Sequence, residues 1–429
     1  MLAKGTGVKV EANFSTQISP LNKGLGRMDR GLTSAELASR GWNLLREDLS
    51  LPAAVLSAEK HQHNLDWMRR FIDAYGLKLA PHGKTTMAPR LFHMQLDSGA
   101  WGITLATAQQ VRVAHAHGVR RVLMANQLVG RANMESIAEL LHDPDFEFFC
   151  LVDSSALAEQ LGAFFADRGL RLQVLLELGI PGGRAGVRDE AQLQDVLHAL
   201  EKHGHSLQLC GVELYEGVLS SEEPIRAFLR RTVDVTRRLA KDNRFHRTPF
   251  LLSGAGSAWY DVVAEEFAAA NFGDAAELVL RPGCYLTHDV GAYRAAQERI
   301  LASNTIAQTM REGLQPALQI WAYVQSRPEP ERAIVTMGRR DAAFDSGLPL
   351  PALHFRPGDA SPRNAPGHWK TTKMMDQHAY LEIASADDLR VGDMISFDIA
   401  HPCLTFDKWR TLVIVNANYD VVDVVETYF

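Results

Sequence analysis

The 429-residue sequence has few cysteines, no excess of positive charge and no long hydrophobic run. Its four cysteines are too few for a disulfide framework, so a reducing compartment is expected. The 45 Lys and Arg against 51 Asp and Glu give a net charge of −6, which argues against a nucleic-acid partner. No apolar run approaches the roughly 20 residues of a membrane span, and Met1–Ser15 lacks the apolar core of a signal peptide. These absences predict a soluble, cytoplasmic protein without a membrane partner.

The signatures of several common enzyme classes are also missing. No G-x-G-x-x-G follows the first strand-like run, and no G-x-S-x-G elbow, H-E-x-x-H helix or pair of carboxylates stands out. Common nucleotide-binding folds and hydrolases therefore have little support. The composition is that of an ordinary globular protein, with 46% hydrophobic and 22% charged residues, which is enough for a large buried core.

Strand-like and helix-like segments alternate from Leu51 to about Arg294. The strand candidates are Ala53–Ser57, Leu77–Pro81, Gly102–Ala106, Val122–Asn126, Glu147–Val152, Leu172–Leu178, Leu209–Leu214, Phe250–Ser253 and Glu277–Arg281. The helix candidates between them are Glu59–Tyr75, Ala108–His117, Ala156–Arg168, Glu190–His203 and Pro224–Lys241. This alternation predicts βαβ units and a parallel α/β sheet. A (β/α)8 barrel of the TIM type fits if one strand leads out of it, and an open doubly wound sheet is the alternative.

Three segments are therefore expected. Residues 1–50 form an irregular N-terminal extension, with a helical stretch near Leu32–Glu47, that packs on the second domain. Residues 51–294 form the barrel, and residues 295–429 form a mostly β domain. The strand candidates of the β domain are Leu318–Val324, Arg332–Thr336, His378–Ile383, Met394–Phe397, Thr411–Val415 and Val421–Val425. Catalytic residues are expected on the loops that follow the barrel strands.

The loop after the second strand candidate carries His82 and Lys84. A lysine at a barrel's catalytic edge is desolvated, which lowers its pKa and makes its amine a nucleophile. In extended backbone, His82 and Lys84 would face the same way. A solvated loop lysine is the alternative.

Two glycine-rich loops follow later strands. Ser253-Gly254-Ala255-Gly256-Ser257 precedes a helix-like segment, so its backbone N–H groups and hydroxyls suit a phosphate. Arg184, in Gly182-Gly183-Arg184-Ala185-Gly186, suits a phenolate, carboxylate or phosphate. An ordinary glycine-rich turn and a surface arginine are the alternatives.

His401-Pro402-Cys403 offers two donors that suit zinc. In an extended strand His401 and Cys403 would share one face, although a buried Cys beside a structural His remains the alternative. Tyr215, Tyr285 and Gln127 also follow strand-like runs, where they would contact a cofactor or pack in the wall.

Together these motifs resemble the fold-type III, alanine-racemase-like pyridoxal-phosphate enzymes. P-H-G-K-T around Lys84, G-G-R-A-G-V around Arg184, the late Gly/Ser loop and R-P-G-C-Y before the second domain occur in the expected order. H-P-C-L-T-F-D-K-W is similar to the zinc-binding His-x-Cys stretch of the D-serine dehydratase and D-threonine aldolase branch. The resemblance covers residues 50–429.

The resemblance also implies a role for each motif and a homodimeric enzyme whose sites involve both chains. Lys84 would carry pyridoxal 5'-phosphate, Arg184 would lie near its phenolic oxygen, and His401 and Cys403 would bind Zn²⁺. The remaining implied cofactor contacts are His82, Gln127, Tyr215, Ser253, Gly254, Gly256, Ser257 and Tyr285.

The chemistry expected from this resemblance is that of a lyase acting on a small D-β-hydroxy amino acid. The cofactor is an electron sink for charge at Cα, and zinc can assist departure of a β-hydroxyl. The His-x-Cys form favours dehydration and deamination of a D-serine-like substrate to a 2-oxo acid and ammonia. Retro-aldol cleavage to glycine and an aldehyde, racemisation and a non-catalytic cofactor carrier remain alternatives.

Overall fold

The computed structural model describes residues 17–429. The prediction that Met1–Ser15 is not a signal peptide concerns residues outside this range. The helices are α1 Ser34–Ala38, α2 Ala58–Tyr75, α3 Pro89–Asp97, α4 Ala108–Ala116, α5 Arg131–Leu140, α6 Ser155–Ala166, α7 Glu190–Lys202, α8 Glu222–Lys241, α9 Tyr260–Ala269, α10 Ala292–Ser303, α11 Thr305–Met310 and α12 Cys403–Phe406. None of the helices in residues 17–429 combines the length and hydrophobicity that a membrane span needs.

The strands form two sheets. The strands are β1 Ala53–Ser57, β2 Lys78–Leu79, β3 Ile103–Leu105, β4 Arg121–Gln127, β5 Glu147–Val152, β6 Leu172–Leu178, β7 Leu207–Leu214, β8 Phe250–Gly254, β9 Ala276–Leu280, β10 Leu318–Glu329, β11 Arg332–Val335, β12 Leu350–Phe355, β13 Arg363–Asn364, β14 Lys370–Met374, β15 Ala379–Glu382, β16 Met394–Asp398, β17 Thr411–Val415 and β18 Val421–Glu426. β2–β9 make the first sheet, and β1 with β10–β18 makes the second.

The first sheet is a closed parallel barrel. Its order is β2-β9-β8-β7-β6-β5-β4-β3, and every pairing along this path is parallel. The two ends join because Trp101 N–H donates to the Leu79 carbonyl (2.7 Å) and Thr104 N–H donates to the Pro81 carbonyl (2.9 Å). The predicted (β/α)8 barrel followed by a mostly β domain is confirmed.

The strand β1 differs from its predicted position. It pairs antiparallel with β10, where Ala53 is opposite Trp321, and parallel with β17, where Val55 is opposite Val413. It therefore belongs to the second sheet, although the sequence placed residues 51–57 in the barrel segment. It is the surplus ninth strand candidate, and α2 leads from it back to the barrel.

The part of the N-terminal extension that the structure describes, from residue 17 onward, packs on the second sheet. Ile18, Leu25, Trp42 and their neighbours form one buried cluster with sheet residues such as Trp321. The helical stretch predicted near Leu32–Glu47 is shorter than expected, because only α1 forms. The helix α1 ends at the C-cap Ser39, and Gly41 two residues later adopts a φ of +67°, a left-handed conformation that does not continue a helix.

The strands β12, β13 and β14 were not predicted. β12 contains Pro351 and is flanked by glycine and proline, which are turn signals in sequence. In the structure the pairing of β12 with β16 shifts register between Pro351 and Leu353. An irregularity of this kind tolerates the missing N–H of a proline within a strand.

Candidate active site

One cavity of about 380 Å³ lies where the C-terminal ends of the barrel strands face the β domain. Barrel loops supply most of its wall, as expected for the active side of a barrel. The predicted site residues that line it are His82, Lys84, Arg184, Tyr215, Gly256, Ser257, His401 and Cys403. Lys84 and His401, which are more than 300 residues apart in sequence, thus line the same cavity.

The other predicted residues do not line this cavity. The Ser253 hydroxyl donates to the Val279 carbonyl (3.1 Å), and Gly254 lies within β8. The Gln127 side chain donates to Glu177. Tyr285 is buried beside a separate cavity of about 80 Å³ between α2 and α3. These residues belong to the surrounding walls, because they pack or form hydrogen bonds outside the cavity.

Lys84 lies in a short 3₁₀ helix, Gly83–Thr85, directly after the loop from β2. The backbone between His82 and Lys84 was predicted to be extended, but it is not. Both side chains nevertheless reach the cavity. Desolvation by the surrounding walls lowers the pKa of the Lys84 amine, and the positive charges of Arg184 and Arg281 lower it further. A lowered pKa makes the neutral, nucleophilic amine available nearer neutral pH.

A buried chain of polar groups supports one wall of the cavity. Arg281 Nη2 donates to the Glu213 carboxylate and to the Leu214 carbonyl (3.0 Å). Arg281 Nη1 lies 3.2 Å from His82 Nε2. Burial and then Arg281 hold the pKa of His82 well below its usual range. His82 is therefore neutral, with its proton on Nδ1, and that buried atom has no protein partner.

The backbone N–H groups that could bind a phosphate differ in part from the predicted ones. Gly256 N–H donates to the Glu216 carboxylate (2.7 Å). The N–H groups of Gly283 and Cys284 converge on the Ser257 hydroxyl, at 3.2 Å and 3.1 Å. A phosphate oxygen can replace this hydroxyl as the acceptor, since paired backbone N–H groups suit an anion. A Cβ at position 283 would lie 2.6 Å from the His82 Cβ, so this close approach requires glycine.

Arg184 and Tyr215 form another part of the cavity wall. The guanidinium carbon of Arg184 lies 5.0 Å from the centroid of the Tyr215 ring. An arginine stacked on an aromatic face keeps its N–H groups in the plane, where they can bind a phenolate or carboxylate. The arrangement fits an anionic group of a cofactor or substrate.

The β domain contributes His401 and Cys403. They do not lie in an extended strand, because Pro402 is helical (φ −58°, ψ −44°) and Cys403 begins α12. His401 Nδ1 donates to Asp345 (2.7 Å). A hydrogen bond with Cys403, and then the Asp345 carboxylate, raise the pKa of His401 to about 9. An imidazole oriented by a carboxylate, next to a thiol, is a suitable donor pair for zinc.

Within residues 17–429 no group of three or more His, Cys, Asp and Glu side chains is arranged to hold a metal. A metal held by His401 and Cys403 would therefore keep coordination positions open for water or substrate.

Several site residues were missed in the sequence. Arg281 stands in the R-P-G-C-Y motif without an assigned role, Cys284 was interpreted as a core or wall residue and lines the cavity wall, and Thr85 follows Lys84 directly. Tyr293, at the start of α10, also lines the cavity. Asp345 lies in a loop 56 residues before His401. The motif was a usable signal for Arg281 and Cys284, whereas Tyr293 and Asp345 reach the site only through tertiary folding.

Comparison with known proteins agrees with this architecture. Residues 56–287 match the family model "Alanine racemase, N-terminal domain", and residues 317–415 match the model "Putative serine dehydratase domain". A D-threonine aldolase of Arthrobacter sp. is 26% identical over 392 residues, which are 90% of this chain and 94% of that protein.

Solved structures show the same fold. The crystal structure of D-threonine aldolase from Filomicrobium marinum superimposes with a TM-score of 0.73 at 22% identity, over 90% of this chain and 97% of that chain. D-threo-3-hydroxyaspartate dehydratase from Delftia sp. HT23 gives a TM-score of 0.70 at 23% identity, over 90% and 99%. A Cys-to-Ala mutant of that dehydratase is described in a metal-free form. The chain therefore belongs to the alanine-racemase-like family of pyridoxal-phosphate enzymes, and its β domain matches the serine dehydratase-type domain.

Proposed function

We propose that the protein is a pyridoxal-phosphate- and zinc-dependent lyase that dehydrates and deaminates a D-serine-like substrate. The observation that carries this proposal is the meeting of the Lys84 amine with the His401 and Cys403 donor pair in one cavity. The barrel supplies the amine and the β domain supplies the metal donors, so both domains are needed for the reaction.

The residues around Lys84 fit the cofactor. The phosphate would accept from Gly283 and Cys284 N–H, and the Ser257 hydroxyl would turn to donate to it. Arg184 would bind the phenolic oxygen or the substrate carboxylate. When bound, pyridoxal phosphate supplies a conjugated ring that withdraws electrons from the substrate Cα.

Lys84 is also placed to move the Cα proton. Its lowered pKa keeps a fraction of the amine neutral, and a neutral amine in the cavity can act as general base at the substrate Cα. Lys84 is exposed to the cavity, so its amine can reach a substrate that binds there.

The metal donors fit a role at the β-hydroxyl. His401 and Cys403 would hold Zn²⁺, which as a Lewis acid stabilises a departing hydroxide. Asp345 fixes the tautomer of His401, because its carboxylate accepts the Nδ1 proton and leaves Nε2 for the metal. The metal-free mutant of the Delftia relative supports a metal in this branch.

Retro-aldol cleavage is the second candidate. It is favoured by the similarity to a D-threonine aldolase over 90% of this chain. It requires the same Lys84 and metal donors, together with a base for the β-hydroxyl proton. The two reactions differ in product, so a product assay separates them.

The test is turnover of D-serine, D-threonine and their L forms by purified protein, with and without a metal chelator. We expect a chelator-sensitive 2-oxo acid from a D form. Aldehyde and glycine would move the assignment to an aldolase, and metal-independent turnover would contradict the zinc role. His401→Ala should behave like the chelated protein, whereas His142→Ala, at an exposed position remote from the cavity lining, should behave like wild type.

A further inference from the structure

Two cysteines from different domains lie close together at the cavity. Cys284 begins the 3₁₀ helix that follows β9 in the barrel, and Cys403 begins α12 in the β domain. Their Sγ atoms are 3.6 Å apart and both thiols are free. A disulfide needs sulfur atoms about 2.05 Å apart, so the two must approach by about 1.5 Å. No local sequence pattern connects these two residues, which are 119 positions apart.

The cavity gives an oxidant access to this pair. The Thr85 hydroxyl contacts both sulfurs, at 3.9 Å from Cys284 and 3.6 Å from Cys403. Cys403 is half-buried and lines the open cavity, while Cys284 is 4% exposed behind it. A small oxidant in the cavity therefore meets Cys403 first, with Cys284 already in place as the second thiol.

We propose that Cys284 and Cys403 are an oxidisable pair that forms a reversible disulfide between the barrel and the β domain when hydrogen peroxide enters the cavity. In the first step the Cys403 sulfur attacks a peroxide oxygen, the O–O bond breaks, and water leaves with formation of a sulfenic acid. In the second step the Cys284 sulfur attacks the Cys403 sulfur, and hydroxide leaves and takes the Cys284 proton as water. Two thiols lose two electrons, and one peroxide becomes two waters.

The consequence is a modification that switches the site off. The disulfide takes the Cys403 sulfur away from the donor pair and fixes α12 against the barrel loop. A thiol reductant restores both cysteines by exchange. The loss of activity rests on the proposed function, whereas formation of the disulfide can succeed or fail independently of it.

The experiment treats the full-length, chelator-treated protein with hydrogen peroxide, and then counts thiols after denaturation. We expect the four thiols to fall to two, the intact mass to fall by two hydrogen atoms, and a peptide linking Cys284 to Cys403 to appear. Dithiothreitol should reverse all three changes.

Matched variants separate this pair from general oxidation. Cys150→Ala and Cys210→Ala remove the two buried barrel cysteines and should leave the linked peptide unchanged. Cys284→Ser should abolish the linked peptide, and its mass should rise by added oxygen at Cys403. Cys284→Ala serves the same purpose if the serine variant folds poorly. A wild-type protein that gains oxygen without forming the linked peptide would overturn the proposal.

Discussion

The two halves of the cavity differ in how their charged groups are held. On the barrel side, Arg281 and Glu213 are each 2% exposed and bind one another within the wall. On the β-domain side, the side chains of His401 and Asp345 are 26% and 38% exposed. A buried pair that loses one member leaves an unpaired charge in the interior, whereas an exposed pair is replaced by water. Altering the pair on the barrel side is therefore expected to destabilise the fold, whereas the pair on the β-domain side can be altered with little effect on stability.

Removing one member of each pair should reveal the largest difference in stability between the two sides. Glu213→Leu leaves the Arg281 guanidinium buried and unpaired, so we expect a loss of about 3–5 kcal/mol in the free energy of unfolding. Asp345→Leu should cost at most about 1 kcal/mol, because its partner is solvated. Denaturant unfolding of the chelator-treated proteins measures both.

The ranking of these two variants is the critical result. An equal loss in both would mean that burial does not separate the two sides. Glu329→Gln is a suitable control, since its ion pair with Arg332 is 56% and 47% exposed, and it should unfold within about 0.5 kcal/mol of wild type.

A smaller effect is expected in the pH dependence of Lys84. Desolvation lowers its pKa, and Arg184 contributes to the same direction. The neutral amine captures the cofactor, so the uptake rate should rise with pH through a midpoint below the value of about 10.4 for free lysine. Arg184→Gln removes a positive neighbour, which favours the protonated amine and moves the midpoint to higher pH by at most about one unit.

Stopped-flow measurement of pyridoxal phosphate uptake across this pH range gives the midpoint. Arg131→Gln is the control, because Arg131 is 82% exposed and pairs with Glu135 outside the cavity. A midpoint that stays fixed in Arg184→Gln would show that Arg184 does not act on the Lys84 amine.

The barrel could be predicted because its strands carry their own signal. β5 and β6 are mostly apolar and almost entirely buried, and both match their predicted bounds. β1 has the same kind of sequence, yet it pairs with β10 and β17. Its sheet is decided by partners more than 250 residues away, which no local pattern contains. β14, with the polar sequence Lys-Thr-Thr-Lys-Met, gives no strand signal at all.

The site was predictable where a motif defines it. Lys84, Arg184, His401 and Cys403 line one cavity as the resemblance implied, although their roles remain proposals. Tyr285 was placed beside the cofactor because it follows a barrel strand, but the 3₁₀ helix Cys284–Leu286 turns it into the wall. The direction of a side chain after a strand depends on this local helix, and the strand pattern alone does not reveal it.

The most direct test of the central claim compares Lys84→Ala with His401→Ala in the purified protein. We assign the cofactor to the barrel side and the β-hydroxyl chemistry to the β-domain side. We therefore expect that Lys84→Ala loses both the visible absorption band of the lysine-bound cofactor and turnover, while His401→Ala keeps the band and loses turnover. A Lys84→Ala protein that retains the band, or a His401→Ala protein with full turnover, would contradict this division.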